Sequence, residues 1–160
     1  MNKNLVIAII AVLVVVVLGV GAYFMLNSNG GKKASLNIDE VSSKLANSSP
    51  FNEMATMDIT SDILESAYGI NPENVEKVAG KAPMMNVQSS MYMLLQAKEG
   101  TVNTVKSELD NYLQQYDDLW SRYLPAQYEY VQNRKVGVIG NSIYVIIAEN
   151  SETLEQEITK

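Results

Sequence analysis

One uncharged apolar stretch, Leu5 to Leu26, constrains this chain more than any other feature. Its 22 residues would rise ~33 Å as a helix, enough to cross a ~30 Å hydrocarbon core. A cleaved secretory signal is the competing reading, but such signals use a shorter apolar region of roughly 7 to 15 residues with a small-x-small cleavage site. Gly19-Val20-Gly21 and Ser28-Asn29-Gly30 offer only strained versions of that site. The run is therefore read as an uncleaved transmembrane anchor over 5–26, with Tyr23 and Phe24 near an interface. Nothing ionisable lies inside it, which argues against transport or proton relay.

Lys3 precedes the span and Lys32 and Lys33 follow it, so basic residues barely bias the orientation. A leader of residues 1–4 is easily kept in the cytosol, which favours a single-pass cell-membrane protein with its C-terminal domain extracytoplasmic. Residues 27–35 are polar and Gly-containing, a flexible linker. Residues 36–160 then form one domain long enough for a single hydrophobic core. All 18 acidic residues follow Ser35, against nine of the 12 basic ones, so the domain carries a net charge of −9. Such a surface repels nucleic acid and anionic lipid; its simplest meaning is solubility.

Within the domain, Val105, Leu109, Tyr112, Leu113, Tyr116, Leu119, Trp120, Tyr123 and Leu124 recur at steps of three and four or their near neighbours. They predict one long helix from Val102 to Leu124, with Thr101 as N-cap and Pro125 barring continuation. Lys135 to Gly140 and Ile143 to Ala148 are β-branched runs around Asn141-Ser142, a hairpin whose near-continuous apolarity predicts central strands. Ser90 to Ala97 and Lys77 to Ala82 read as further strands. Asp39 to Ala46, Ser61 to Tyr68 (stopped by Gly69), a turn at Pro72, and Glu152 to Ile158 capped by Ser151 read as short helical pieces. The predicted fold is α+β: a mainly antiparallel sheet of about four strands, covered on one face by the long helix, with several short helices.

The chemical inventory is sparse. With no His and no Cys, the chain lacks Ser-His-Asp and Cys-His catalysis, thiolate redox work and the usual zinc sites. No Gly-rich phosphate-binding pattern is present. Asp117-Asp118 suggests a carboxylate pair, yet neighbours on a helix diverge by ~100° and suit a solvated face better. Met54-x-x-Met57, Met84-Met85 and Met91-x-Met93 have spacings at which thioethers gather around Cu(I). Core filling is the commoner use of methionine. No catalytic residue, cofactor or metal site is assigned. Tyr123, Tyr128 and Tyr130 flank Leu124-Pro125, where exposed aromatic faces grip a partner peptide or stack on sugar rings. Trp120 and Tyr123 also belong to the helix stripe, so Tyr128 and Tyr130 are expected to be the more exposed.

Five stretches in order carry a resemblance: Leu64 to Val75, Ala82-Pro83-Met84-Met85-Asn86, Gln96 to Gly100, Tyr123 to Tyr128, and Gly140 to Val145. Together they resemble the domain of unknown function DUF4358, a family found mostly in Firmicutes as membrane-anchored or lipoprotein-type secreted domains. The likeness spans most of 57–158. Many relatives would carry a lipid-bearing Cys near the N-terminus; this chain has a longer apolar anchor instead. The resemblance implies location and fold and supplies neither a reaction nor catalytic residues.

The expectation is a non-catalytic, membrane-tethered binding or accessory domain, contacting an envelope protein or glycan through Pro83, Met84, Met85 and Asn86 and through Tyr123, Tyr128 and Tyr130. One alternative is an enzyme or subunit of a cell-envelope polysaccharide acylation system, in which Glu65, Glu73 and Glu129 would converge with a tyrosine hydroxyl. The other is a Met-lined Cu(I) carrier.

Overall fold

The computed structural model describes residues 35–160. The leader, the expected span over 5–26 and nearly all of the linker lie outside the described residues. Among those described, no helix is long and apolar enough to cross a membrane.

Helix α1 (Ile38–Ala46) opens on Asn37, whose side chain accepts from the Glu40 N–H, and it buries Ile38, Val41 and Leu45 as one stripe. Strand β1 (Thr56–Asp58) and a 3-10 turn (Ser61–Ile63) lead into α2 (Leu64–Tyr68), which ends at Gly69 with φ +64°. A left-handed residue there releases the chain without a Cβ clash. A second 3-10 turn, Pro72–Asn74, starts β2 (Val75–Pro83), followed by β3 (Met91–Ala97), α3 (Val102–Trp120), α4 (Pro125–Gln132), β4 (Lys135–Ile139), β5 (Ser142–Ile147) and α5 (Ser151–Ile158).

The strands form one five-stranded sheet in the order β1-β2-β3-β5-β4, antiparallel at every step. Five strands rather than about four arise because β1 is only three residues long, too short for an alternation to be visible. Nor is the sheet covered on one face alone. Met91, Met93, Leu95, Ile143, Val145 and Ile147 pack towards α2, α3 and α4, whereas Tyr92, Leu94, Tyr144 and Ile146 pack towards α1 and α5. Successive side chains on a strand face opposite ways, so a strand covered on both sides must be apolar throughout. That coverage explains β3 and β5. The hairpin partner β4 is an edge strand, not a central one.

Two boundaries and one capping contact also differ from expectation. Helix α3 stops at Trp120, and Pro125 does not merely end a helix but occupies the first turn of α4, where its missing N–H costs nothing. Thr101 holds the N-cap position of α3 as expected, but its hydroxyl does not cap the helix: it donates instead to the carbonyls of Asn74 (2.8 Å) and Lys98 (2.9 Å). Ser151 lies inside α5 and donates to the Asn133 carbonyl at 2.9 Å, tying the helix to the α4–β4 junction. The β4–β5 turn is Gly140-Asn141, with Gly140 at φ +63°.

Candidate functional site

The sheet has two distinct ends. At one, the Leu36 N–H donates to Ser142 Oγ (3.1 Å), so the chain enters the domain beside the β4–β5 turn. At the other, where Met91 faces Ile147, the β2–β3 loop meets the segment after α1, the junction of α3 and α4, and the turn after β5.

A small polar staple holds that second end. Ser89 is fully buried; its N–H donates to Gln127 Oε1 (2.7 Å), and its hydroxyl donates to the Gln127 carbonyl (2.9 Å) and lies 3.1 Å from Gln127 Oε1. The Ser89 carbonyl accepts from the Tyr116 hydroxyl at 3.0 Å. Arg134 adds a clamp, donating through its two terminal guanidinium nitrogens to the two Asp117 oxygens at 2.7 Å each. Asp117 is thus an ion-pair partner, and no convergent Asp117-Asp118 pair arises.

The two sequence segments singled out for binding adjoin this staple along the chain, one just before Ser89 and the other around Gln127. Pro83 ends β2, Met84 and Met85 are 67 % and 53 % exposed on the loop, and Asn86 is exposed beside them. Gln127, the staple residue, sits on α4 next to Tyr128. The aromatic expectation is reversed: Tyr123 is 49 % exposed, while Tyr128 and Tyr130 are half-buried against the core shared with α3. The reason is α4 itself, which turns Tyr128 and Tyr130 back onto the domain. Leu119, counted in the buried stripe by spacing, is exposed as well.

Tyr123 ends a row of rings. Tyr68, Tyr112, Tyr116, Trp120 and Tyr123 follow one another at centroid distances of 5.0, 5.6, 5.9 and 5.7 Å, tilted or edge-on, the favoured geometries for aromatic pairs. Burial pushes the Tyr116 hydroxyl up to about 12 despite a lowering influence from Trp120, and burial also raises Tyr112 and Tyr68. The Trp120 indole N–H influences Tyr116 without reaching hydrogen-bonding geometry. These tyrosines are protonated donors at neutral pH.

Next to Tyr130 lies a cleft of about 270 Å³ walled by Pro50, Met54 and Tyr130 on its apolar side and by Glu53, Gln88, Ser90, Gln127 and Glu149 on its polar side. Sequence reading missed this cleft, because its lining comes from four separate segments. The three carboxylates considered for an acylation site sit on three different elements, Glu65 on α2, Glu73 on the second 3-10 turn and Glu129 on α4, each exposed. The carboxylate that does meet a tyrosine hydroxyl is Glu155, 2.7 Å from Tyr144 on the other face of the sheet. Of the methionines, Met91 and Met93 are fully buried in the core facing α3, Met54 packs against the opposite core, and Met57 is exposed. Among the described residues no group of three or more Asp or Glu side chains is placed to hold a metal ion.

The profile of the domain of unknown function DUF4358 matches residues 49–148, well over half of the chain. The chain belongs to the DUF4358 family. The family stretch takes in all five strands, α2, α3 and α4, and nearly the whole lining of the cleft; α1 and α5, which cover the opposite face, fall outside it. Neither a curated protein nor a solved structure matches the chain.

Proposed function

We propose that this DUF4358 protein is a membrane-anchored, extracytoplasmic binding or accessory domain without catalytic activity of its own, docking a cell-envelope partner at the end of the sheet formed by the β2–β3 loop and the α3–α4 junction. One observation carries the reading: the exposed Met84, Met85 and Tyr123 belong to segments that the Ser89–Gln127–Tyr116 hydrogen bonds lock together. Interfaces draw their energy from a few large apolar and aromatic groups held on a rigid support. Leu36, near the start of the described residues, lies at the opposite end, beside Ser142. The apolar run of residues 5–26 supports the anchor, and the absence of His and Cys supports a non-catalytic role.

Photoreactive side chains placed in intact cells at Met85, at Tyr123 and, as a control, at the exposed Lys98 of the opposite end test the proposal. Met85 and Tyr123 are expected to yield the same discrete adduct, weakened by alanine at Met84, with none at Lys98. Adducts from all three positions alike, or from none, would refute it.

A further inference from the structure

Of the methionine spacings in the sequence, the sheet brings two together, Met54-x-x-Met57 and Met84-Met85. Met57 pairs with Ala82 across the β1–β2 ladder, and the Met84 N–H extends that ladder to the Ala55 carbonyl at 3.0 Å. Side chains two residues apart on a strand share a face, so Met57 and Met84 stand on the face that carries Ala82, as diagonal neighbours across the strand pair. Such positions lie ~7–8 Å apart, within reach of two long side chains.

Core filling, the common use of methionine, accounts for Met91 and Met93 and fails for this pair. Met57 is 46 % exposed and Met84 67 %. Three of the six methionines among the described residues are exposed, and the third, Met85, adjoins Met84. The carboxylate nearest in sequence, Asp58, points to the other face by strand alternation and is paired with Lys81 at 2.7 Å. Among the described residues no group of three or more Asp or Glu side chains is placed to hold a hard cation instead. Thioether sulfur is a soft, neutral donor that selects Cu(I), whereas hard ions seek carboxylate and carbonyl oxygen.

We infer that Met57 and Met84 together bind Cu(I) as a two-thioether clip at the open margin of the sheet. Cu(I) has a filled d shell and accepts two soft ligands in line, and its oxidation state does not change on binding. The ladder fixes both backbones, so once one sulfur has bound, the other meets the ion at high effective concentration. The site goes beyond the docking reading, and leucine separates the two: at either position it preserves the apolar surface and removes the sulfur.

The test uses the full chain in detergent micelles with 13C-labelled methionine methyl groups, Met57 and Met84 being assigned through Met57→Leu and Met84→Leu. The probes are silver(I) nitrate in chloride-free buffer, an air-stable ion of the same charge and softness, and Cu(I) held reduced by ascorbate; acetyl-methionine-amide gives the affinity of a lone thioether. Met57 and Met84 are expected to shift together and saturably with either ion, at least about tenfold more tightly than the lone thioether, with Met91 and Met93 unmoved. Met57→Leu should weaken the response of Met84 by about tenfold or more, and Met84→Leu that of Met57. Unchanged affinity at either methyl in the other's variant, binding no tighter than the lone thioether, an equal response to zinc nitrate, or a response to silver(I) without one to Cu(I) would overturn the proposal. Should Met91 or Met93 move in a leucine variant, norleucine at the same position, which replaces sulfur by a methylene, carries the comparison.

Discussion

Replacing Gln127 should unpick the site end in a way that separates hydrogen bonding from packing. Gln127 Oε1 is the acceptor for the fully buried Ser89 N–H at 2.7 Å, whereas the Ser89 hydroxyl retains the Gln127 backbone carbonyl whatever the side chain. Gln127→Ala therefore orphans one buried N–H, at a cost of about 1–3 kcal/mol, and removes some packing besides. For a domain of this size a loss of about 2 kcal/mol lowers the melting temperature by roughly 6–10 °C. Gln127→Met keeps the volume without an acceptor and should lose most of the same stability. Gln127→Glu keeps an acceptor oxygen and should recover more than half of it. Urea titration of the three variants gives the energies, and hydrogen exchange at the Ser89 amide locates the effect. If Gln127→Met proves as stable as wild type, or Gln127→Glu as damaging as Gln127→Ala, the Ser89–Gln127 bond is not what holds the loop.

Two further expectations concern the opposite face of the sheet and the alkaline range. A Cβ at Gly137 would collide with the Tyr144 ring that lies across it, so Gly137→Ala should cost about 1–3 kcal/mol in a wild-type background and close to nothing when Tyr144→Ala is also present; additive effects in that double-mutant cycle would count against the close approach. Burial pushes Tyr116 up to about 12, and burial together with the Glu155 carboxylate does the same to Tyr144. The unfolded chain releases these protons near pH ~10, so above that pH it binds fewer protons than the folded state and stability falls as pH rises from about 10 towards 12. Below pH ~10 the two tyrosines should add no pH dependence. Denaturation midpoints across this window, compared with Tyr116→Phe and Tyr144→Phe, check it, and a flat profile in the wild type would contradict it.

Local patterns in the chain determined a good deal. The long helix, the stop at Gly69, strands β2, β3 and β5 and the α+β class all follow from three-to-four or unbroken apolar spacing and from Gly and Pro, because those signals act within a few residues of one another. Met84 and Met85 could be placed on a loop from the Pro83 break beside them. Tertiary structure alone decided the rest. The three-residue β1 exists because β2 offers it an edge, and β4 is peripheral because β5 pairs with β3 on its other side. Tyr128 and Tyr130 turn inward and Tyr123 outward because α4 folds back on α3. The staple joins Ser89 to a residue 38 positions away, and the cleft draws on four separate segments. Contacts of that kind depend on how the elements pack, and no local periodicity records which distant side chains will meet.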